Sequence, residues 1–132
     1  TLVNISESFA GKVIFEGECT DDKLSELYSF SDIFALTSLP LSNSVEGFGF
    51  VYLEPSPYAL PNIANRTGGV EDAVFGGKTG LLAQPGDLKR LSQLLNDLVN
   101  DQKLREKIGR EGKIWAKNFT WKKVAQELYN LD

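Results

Sequence analysis

Short β-branched and aromatic runs alternate along the chain with stretches whose apolar positions recur every three or four residues. That alternation predicts a parallel α/β sheet. Val13-Ile14-Phe15 ahead of Gly17 reads as a buried strand and turn. Asp21 and Asp22 offer an N-cap for a helix to about Phe30, with Leu24, Leu27 and Tyr28 on one face. Ile33-Phe34-Ala35-Leu36 is the next strand. A polar loop then leads through Glu46-Gly47-Phe48-Gly49 into a short helix. Asn62-Ile63-Ala64 forms a third strand after Pro61, and Gly68-Gly69 turns into a short helix around Val70 to Val74. Gly76-Gly77-Lys78-Thr79-Gly80 feeds a last strand, Leu81-Leu82-Ala83.

From Asp87 onward the period is helical. Leu88, Leu91, Leu94, Leu95 and Leu98 make a stripe expected to face a core. Leu104, Ile108 and Trp115 mark a second helix, and Thr120 caps a third carrying Val124, Leu128 and Leu131. No repeat or low-complexity tract interrupts the pattern, so residues 1–132 read as a single domain with a helical C-terminus.

Composition narrows the chemistry. At 42% hydrophobic and 24% charged residues the chain is not globally disordered, and 132 residues bury a core without disulfides. Histidine is absent, which removes Ser-His-Asp and Cys-His catalysis and every histidine-containing zinc site. The single cysteine, Cys19, can form neither an internal disulfide nor a thiolate cluster, and it reads as a buried bystander. No apolar run approaches a membrane span and no basic-then-apolar leader opens the chain. The expected setting is therefore cytoplasmic, at most peripheral at a membrane surface. The sequons at Asn4, Asn65 and Asn118 are read as chance tripeptides.

Charge is uneven. Residues 1–102 carry 6 basic and 14 acidic side chains, net −8, whereas residues 103–132 carry 8 and 4, net +4. The basic end is read as a solvated helix face whose aromatics Trp115, Phe119 and Trp121 point to the core, and an overall charge of −4 argues against nucleic acid as a partner.

The chemistry then rests on Glu46-Gly47-Phe48-Gly49-Phe50 with Glu54 eight positions after Glu46. Spacing alone is uninformative, since Glu18 and Glu26 stand equally far apart. Context separates them: Glu46 follows a strand and loop and precedes two glycines, at the sheet edge where open α/β folds bind ligands. Glycines there let a phosphate approach backbone N–H groups. Eight residues of helix rise about 12 Å, enough to reach from a sugar across a diphosphate to a ribose.

Gly17, Leu27-Tyr28, Asp32-Ile33-Phe34, Ser38, Glu46-Gly47-Phe48-Gly49 with Glu54, Pro61, Gly68-Gly69 and Gly77-Lys78-Thr79-Gly80-Leu81-Leu82 together resemble glycosyltransferase family 4, the glycosyl transferases group 1. The resemblance runs from about Val13 to Leu131. It implies the distal part of a GT-B C-terminal domain, a Rossmann-like parallel sheet with helices on both faces. The implied activity is that of a retaining, hexosyltransferase-type enzyme of glycan biosynthesis. It would transfer a sugar from a nucleoside-diphosphate donor to an acceptor, with no cofactor and no metal. Glu46 would be the catalytic carboxylate on the donor sugar's hydroxyls. The backbone of Gly47, Phe48, Gly49 and Phe50 would hold sugar and diphosphate, Glu54 the ribose, and the loop from Gly17 to Thr20 the nucleobase. Phe48 and Phe50 are otherwise expected in the core.

Two departures stand out. Pro55 replaces the residue after Glu54 and interrupts a helix there, and Ala59 replaces a glycine. The family's basic pair for the diphosphate and its acceptor-binding N-terminal domain are not among these residues. The isolated chain is therefore expected to be inactive and prone to self-association through an unpaired strand edge. Two alternatives remain at this point: a non-catalytic nucleotide-binding or regulatory α/β module, and a structural domain whose glutamates cap helices.

Overall fold

The computed structural model describes residues 13–39 and 49–119. Helix α1, Asp21–Phe30, starts one residue earlier than the acidic pair suggested. Thr20 is its N-cap, with the hydroxyl accepting from the Lys23 N–H, while Asp21 and Asp22 fill the first turn. Strand β1, Phe34–Leu36, pairs in parallel with β2, Asn62–Asn65, and β2 with β3, Gly80–Ala83, in the order β1-β2-β3. Helix α2, Val70–Ala73, follows β2. Helix α3, Leu88–Asn100, follows β3, and α4, Gln102–Ala116, follows α3 after a single residue, Asp101. Asp87 and Asp101 cap α3 and α4 from their side chains.

Side-chain alternation on the strands separates two cores. Ile63 and Ala83 face one side and meet Leu94, Leu98 and Ile108 of α3 and α4. Ala64 faces the other, where Tyr52, Val70, Ala73 and Val74 bury against it with Phe34, Leu36 and Leu82 alongside. Helices therefore cover both faces, as expected. The central strand β2 is buried along its whole length, and its two asparagines are anchors. Asn62 donates to the Tyr52 carbonyl at 3.0 Å, and Asn65 to those of Thr37 and Ser38 at 3.2 and 3.1 Å. Asn65 is thus a structural donor, not an accessible glycan acceptor.

Several expectations are corrected. Residues 13–15 form no strand, and Ile14 is 77% exposed; a strand needs a neighbour, and β1 pairs only with β2 among the described residues. The stripe on α3 is half buried: Leu94 and Leu98 are in the core, while Leu88 and Leu95 are exposed. Periodicity gave the face without giving what covers it. Cys19 is exposed, with its thiol 3.7 Å from the Gly17 carbonyl, and Phe50 is exposed rather than in the core. The third C-terminal helix, with Val124, Leu128 and Leu131, lies outside the described residues.

Candidate functional site

Gly49 fixes where the glycine segment sits. It adopts φ 73° and ψ 44°, a left-handed conformation that a side chain disfavours. A Cβ there would lie 3.0 Å from the Tyr52 ring and 3.8 Å from the Cα of Val70, the first residue after the Gly68-Gly69 turn. Since β2 runs into that turn, Gly49 lies at the C-terminal edge of the sheet, where the sequence placed it. The Tyr52 hydroxyl donates to the Leu36 carbonyl at 3.0 Å, so the segment is tied to the end of β1 as well. Glu46, Gly47 and Phe48 lie outside the described residues.

The segment beyond Gly49 is not a continuous α-helix. A 3-10 turn, Phe50–Tyr52, is followed by a second, Ser56–Tyr58, with the buried Pro55 as the N-cap of the second. Proline supplies no N–H at position 55, and the chain re-enters a helical turn only after it. From Gly49 on, the continuous helix expected to carry Glu54 is therefore replaced by two short turns, with Glu54 between them. Ala59 ends the second turn at φ 57°, the conformation for which a glycine would serve.

Glu54 is exposed at this break and is held from another element. The Tyr28 hydroxyl of α1 donates to its Oε2 at 3.1 Å. The Tyr28 ring is itself packed, 6.0 Å edge-on to Phe34 and 5.6 Å from Tyr58. Burial pushes the Tyr28 phenol up to about 12, and the hydrogen bond and negative charge of Glu54 add to that shift. Tyr28 therefore remains a donor across the physiological range. The sequence marked it as a core-facing helix position and as part of the family resemblance, with no role at the site; the signal that could have flagged one is a hydroxyl on a half-buried ring.

Gly17 is exposed at φ 68° and leads through Thr20 into α1. Arg66, at the end of β2, pairs with Glu71 across the Gly68-Gly69 turn. That cation escaped the sequence reading because nothing local distinguished it. An apolar-walled cavity of about 280 Å³ opens on the same edge, between Thr37, Asn65, Asp87 and Leu88. Among the described residues no three His, Cys, Asp or Glu side chains gather as metal ligands, and no helix is long and apolar enough to cross a membrane.

The family model for glycosyl transferases group 1 matches residues 5–115. The chain belongs to that family. The sulfoquinovosyl transferase SQD2 of Arabidopsis thaliana is 30% identical over 131 residues, 96% of this chain and 25% of that protein. Among solved structures, Anabaena HepE in complex with UDP and glucose superposes with a TM-score of 0.80 at 25% identity, over 98% of this chain and 35% of that one. The C-terminal domain of the group 1 transferase LpcC from Francisella tularensis shares the fold with a TM-score of 0.73 at 22% identity. That match covers 89% of this chain and 59% of that domain. The chain spans about a quarter to a third of the length of its curated relatives, and the group 1 fold it carries is part of a C-terminal domain.

Proposed function

We propose that this chain is the donor-binding segment of a retaining, hexosyltransferase-type glycosyltransferase of glycan biosynthesis in the cytoplasm. The observation that carries the proposal is the left-handed Gly49 turn packed on Val70 at the C-terminal sheet edge, in a chain of this family. The substrate class is a nucleoside-diphosphate sugar, as in the relative that holds UDP and glucose. Loop 17–20 borders the nucleobase, Glu54 takes the ribose hydroxyls, and backbone amides of residues 47–50 meet the diphosphate and sugar. Glu46 holds the sugar hydroxyls while the anomeric carbon passes through an oxocarbenium-like state. The charge of the departing diphosphate is met by those amides and by basic residues of a preceding part of the protein, without a metal. The acceptor is bound by a separate domain of the parent enzyme.

Calorimetry with nucleoside diphosphates and their sugar derivatives tests this division. Glu54→Gln weakens nucleoside diphosphate binding by about 1–2 kcal/mol, the worth of a hydrogen bond to a charged group. Glu46→Gln leaves the nucleoside diphosphate nearly unaffected and weakens only the intact sugar nucleotide. Equal losses from both variants would contradict the assignment.

The same reading carries an expectation for the chain in isolation. β1 leaves one edge unpaired among the described residues, with Ala35 exposed in it and Leu88, Leu95 and Val99 exposed on α3. Two copies pairing through β1 would satisfy those backbone groups. Light scattering is expected to find a dimer or larger species, and Ala35→Lys to return it to monomer. A strictly monomeric parent chain would refute the pairing.

A further inference from the structure

We propose that Tyr28 is a positioning residue that aims the Glu54 carboxylate at the donor's ribose. The inference rests on the reading of Glu54 as the ribose ligand and adds a residue from a different element to it.

Three observations carry it. First, Glu54 has no regular helix to fix it: the first 3-10 turn ends at Tyr52, and Pro55 opens the next. An exposed glutamate in such a break would sample several rotamers, and ordering it on binding would cost affinity. Second, Tyr28 supplies a fixed donor. Its ring is held edge-on by Phe34 and tilted against Tyr58, so the hydroxyl at 3.1 Å from Oε2 has little freedom of its own. Third, the donor spends only one of the carboxylate's roughly four acceptor sites. Oε1 and the second lone pair of Oε2 remain for a vicinal diol, which needs two acceptors side by side. Tyr28 stands in the last turn of α1, so the donor comes from an element separate from the one that carries Glu54. Because burial and the Glu54 charge hold the phenol protonated, this donor is not lost at physiological pH.

A double-mutant cycle tests the role on the 132-residue chain. UDP, GDP and ADP are titrated by calorimetry, and the tightest is compared with its 2′-deoxy and 3′-deoxy forms. Tyr28→Phe, which keeps the ring packing, is expected to weaken the ribonucleotide about three- to tenfold while leaving the unfolding temperature unchanged. In a Glu54→Gln background, or against the deoxy forms, the same substitution should change affinity less than twofold. Ultraviolet titration gives a check without nucleotide: Glu54→Gln should bring the Tyr28 phenol back toward its ordinary range. A Tyr28→Phe loss that persists in the Glu54→Gln background overturns the positioning role. No loss on Tyr28→Phe, where Glu54→Gln alone weakens the ribonucleotide, overturns it too and leaves the ribose reading standing. If a nucleotide binds but Glu54→Gln changes nothing, the ribose reading itself falls. If none of the three nucleotides binds, the donor-binding reading falls, and the role of Tyr28 with it.

Discussion

Gly109→Ala is expected to destabilise the protein by about 3 kcal/mol, the upper end of what overpacking costs. Gly109 lies in the middle of α4 with its Cα against the backbone of Ala59, and a Cβ built there falls inside the Ala59 carbonyl oxygen. Backbone cannot rotate aside as a side chain can, so either α4 or the second 3-10 turn must shift. Alanine gains up to about 1 kcal/mol of helix propensity over glycine, too little to reverse the sign. Gly112→Ala is the internal comparison: its Cβ would stand 3.3 Å from the Thr79 carbonyl, a contact that a few tenths of an ångström relieves. Urea unfolding followed by circular dichroism should therefore rank Gly109→Ala far below Gly112→Ala. A Gly109→Ala protein as stable as the parent would show that α4 does not lie on the Ala59 turn. Against a typical total of about 5–15 kcal/mol, the loss also threatens folding at physiological temperature.

Tyr52→Ala is expected to cost still more, about 4 kcal/mol, the range for emptying an aromatic site in a core. Tyr52 is fully buried and ties the Gly49 turn to β1 and β2. Its ring packs 6.3 Å edge-on to Phe34 and lies under Gly49, its hydroxyl donates to Leu36, and its carbonyl accepts from Asn62. Tyr52→Phe keeps the ring and loses one hydrogen bond, about 1 kcal/mol. Beyond stability, Tyr52→Ala removes the support of the left-handed Gly49 turn, so nucleoside diphosphate affinity should fall at temperatures where the variant is still folded. Thermal unfolding and calorimetry on the two variants separate these effects. Full retention of affinity in a folded Tyr52→Ala protein would mean that the Gly49 turn holds its shape without Tyr52.

The sheet was legible in the sequence because its strands are short β-branched or aromatic runs punctuated by glycine and proline, and β1, β2 and β3 lie within a residue of where those runs fall. The same rule failed at residues 13–15. A run of apolar residues reports a preference for a strand, whereas forming one requires a partner edge. Pro55 announced the broken helix correctly, since a missing N–H is a local property. The Gly49 edge position followed from order along the chain, which glycine-rich turns after strands largely determine. The contact of Tyr28 with Glu54 was not legible. It joins residues 26 apart, and nothing in either neighbourhood encodes the other. The exposure of Leu88 and Leu95 was hidden for a similar reason, because a helical stripe is written in one element and its cover in another.

The order β1-β2-β3 has a consequence for how the sheet is made. Each strand lies beside the one before it in the chain, so every new strand docks on the edge most recently laid down. A ribosome releasing the polypeptide from its N-terminal end would deliver β1, then β2, then β3 to a growing template, with no strand waiting for a later one to be inserted between. Among the described residues, no strand pairs with the side of β1 away from β2. Assembly of these three strands can thus proceed in step with translation.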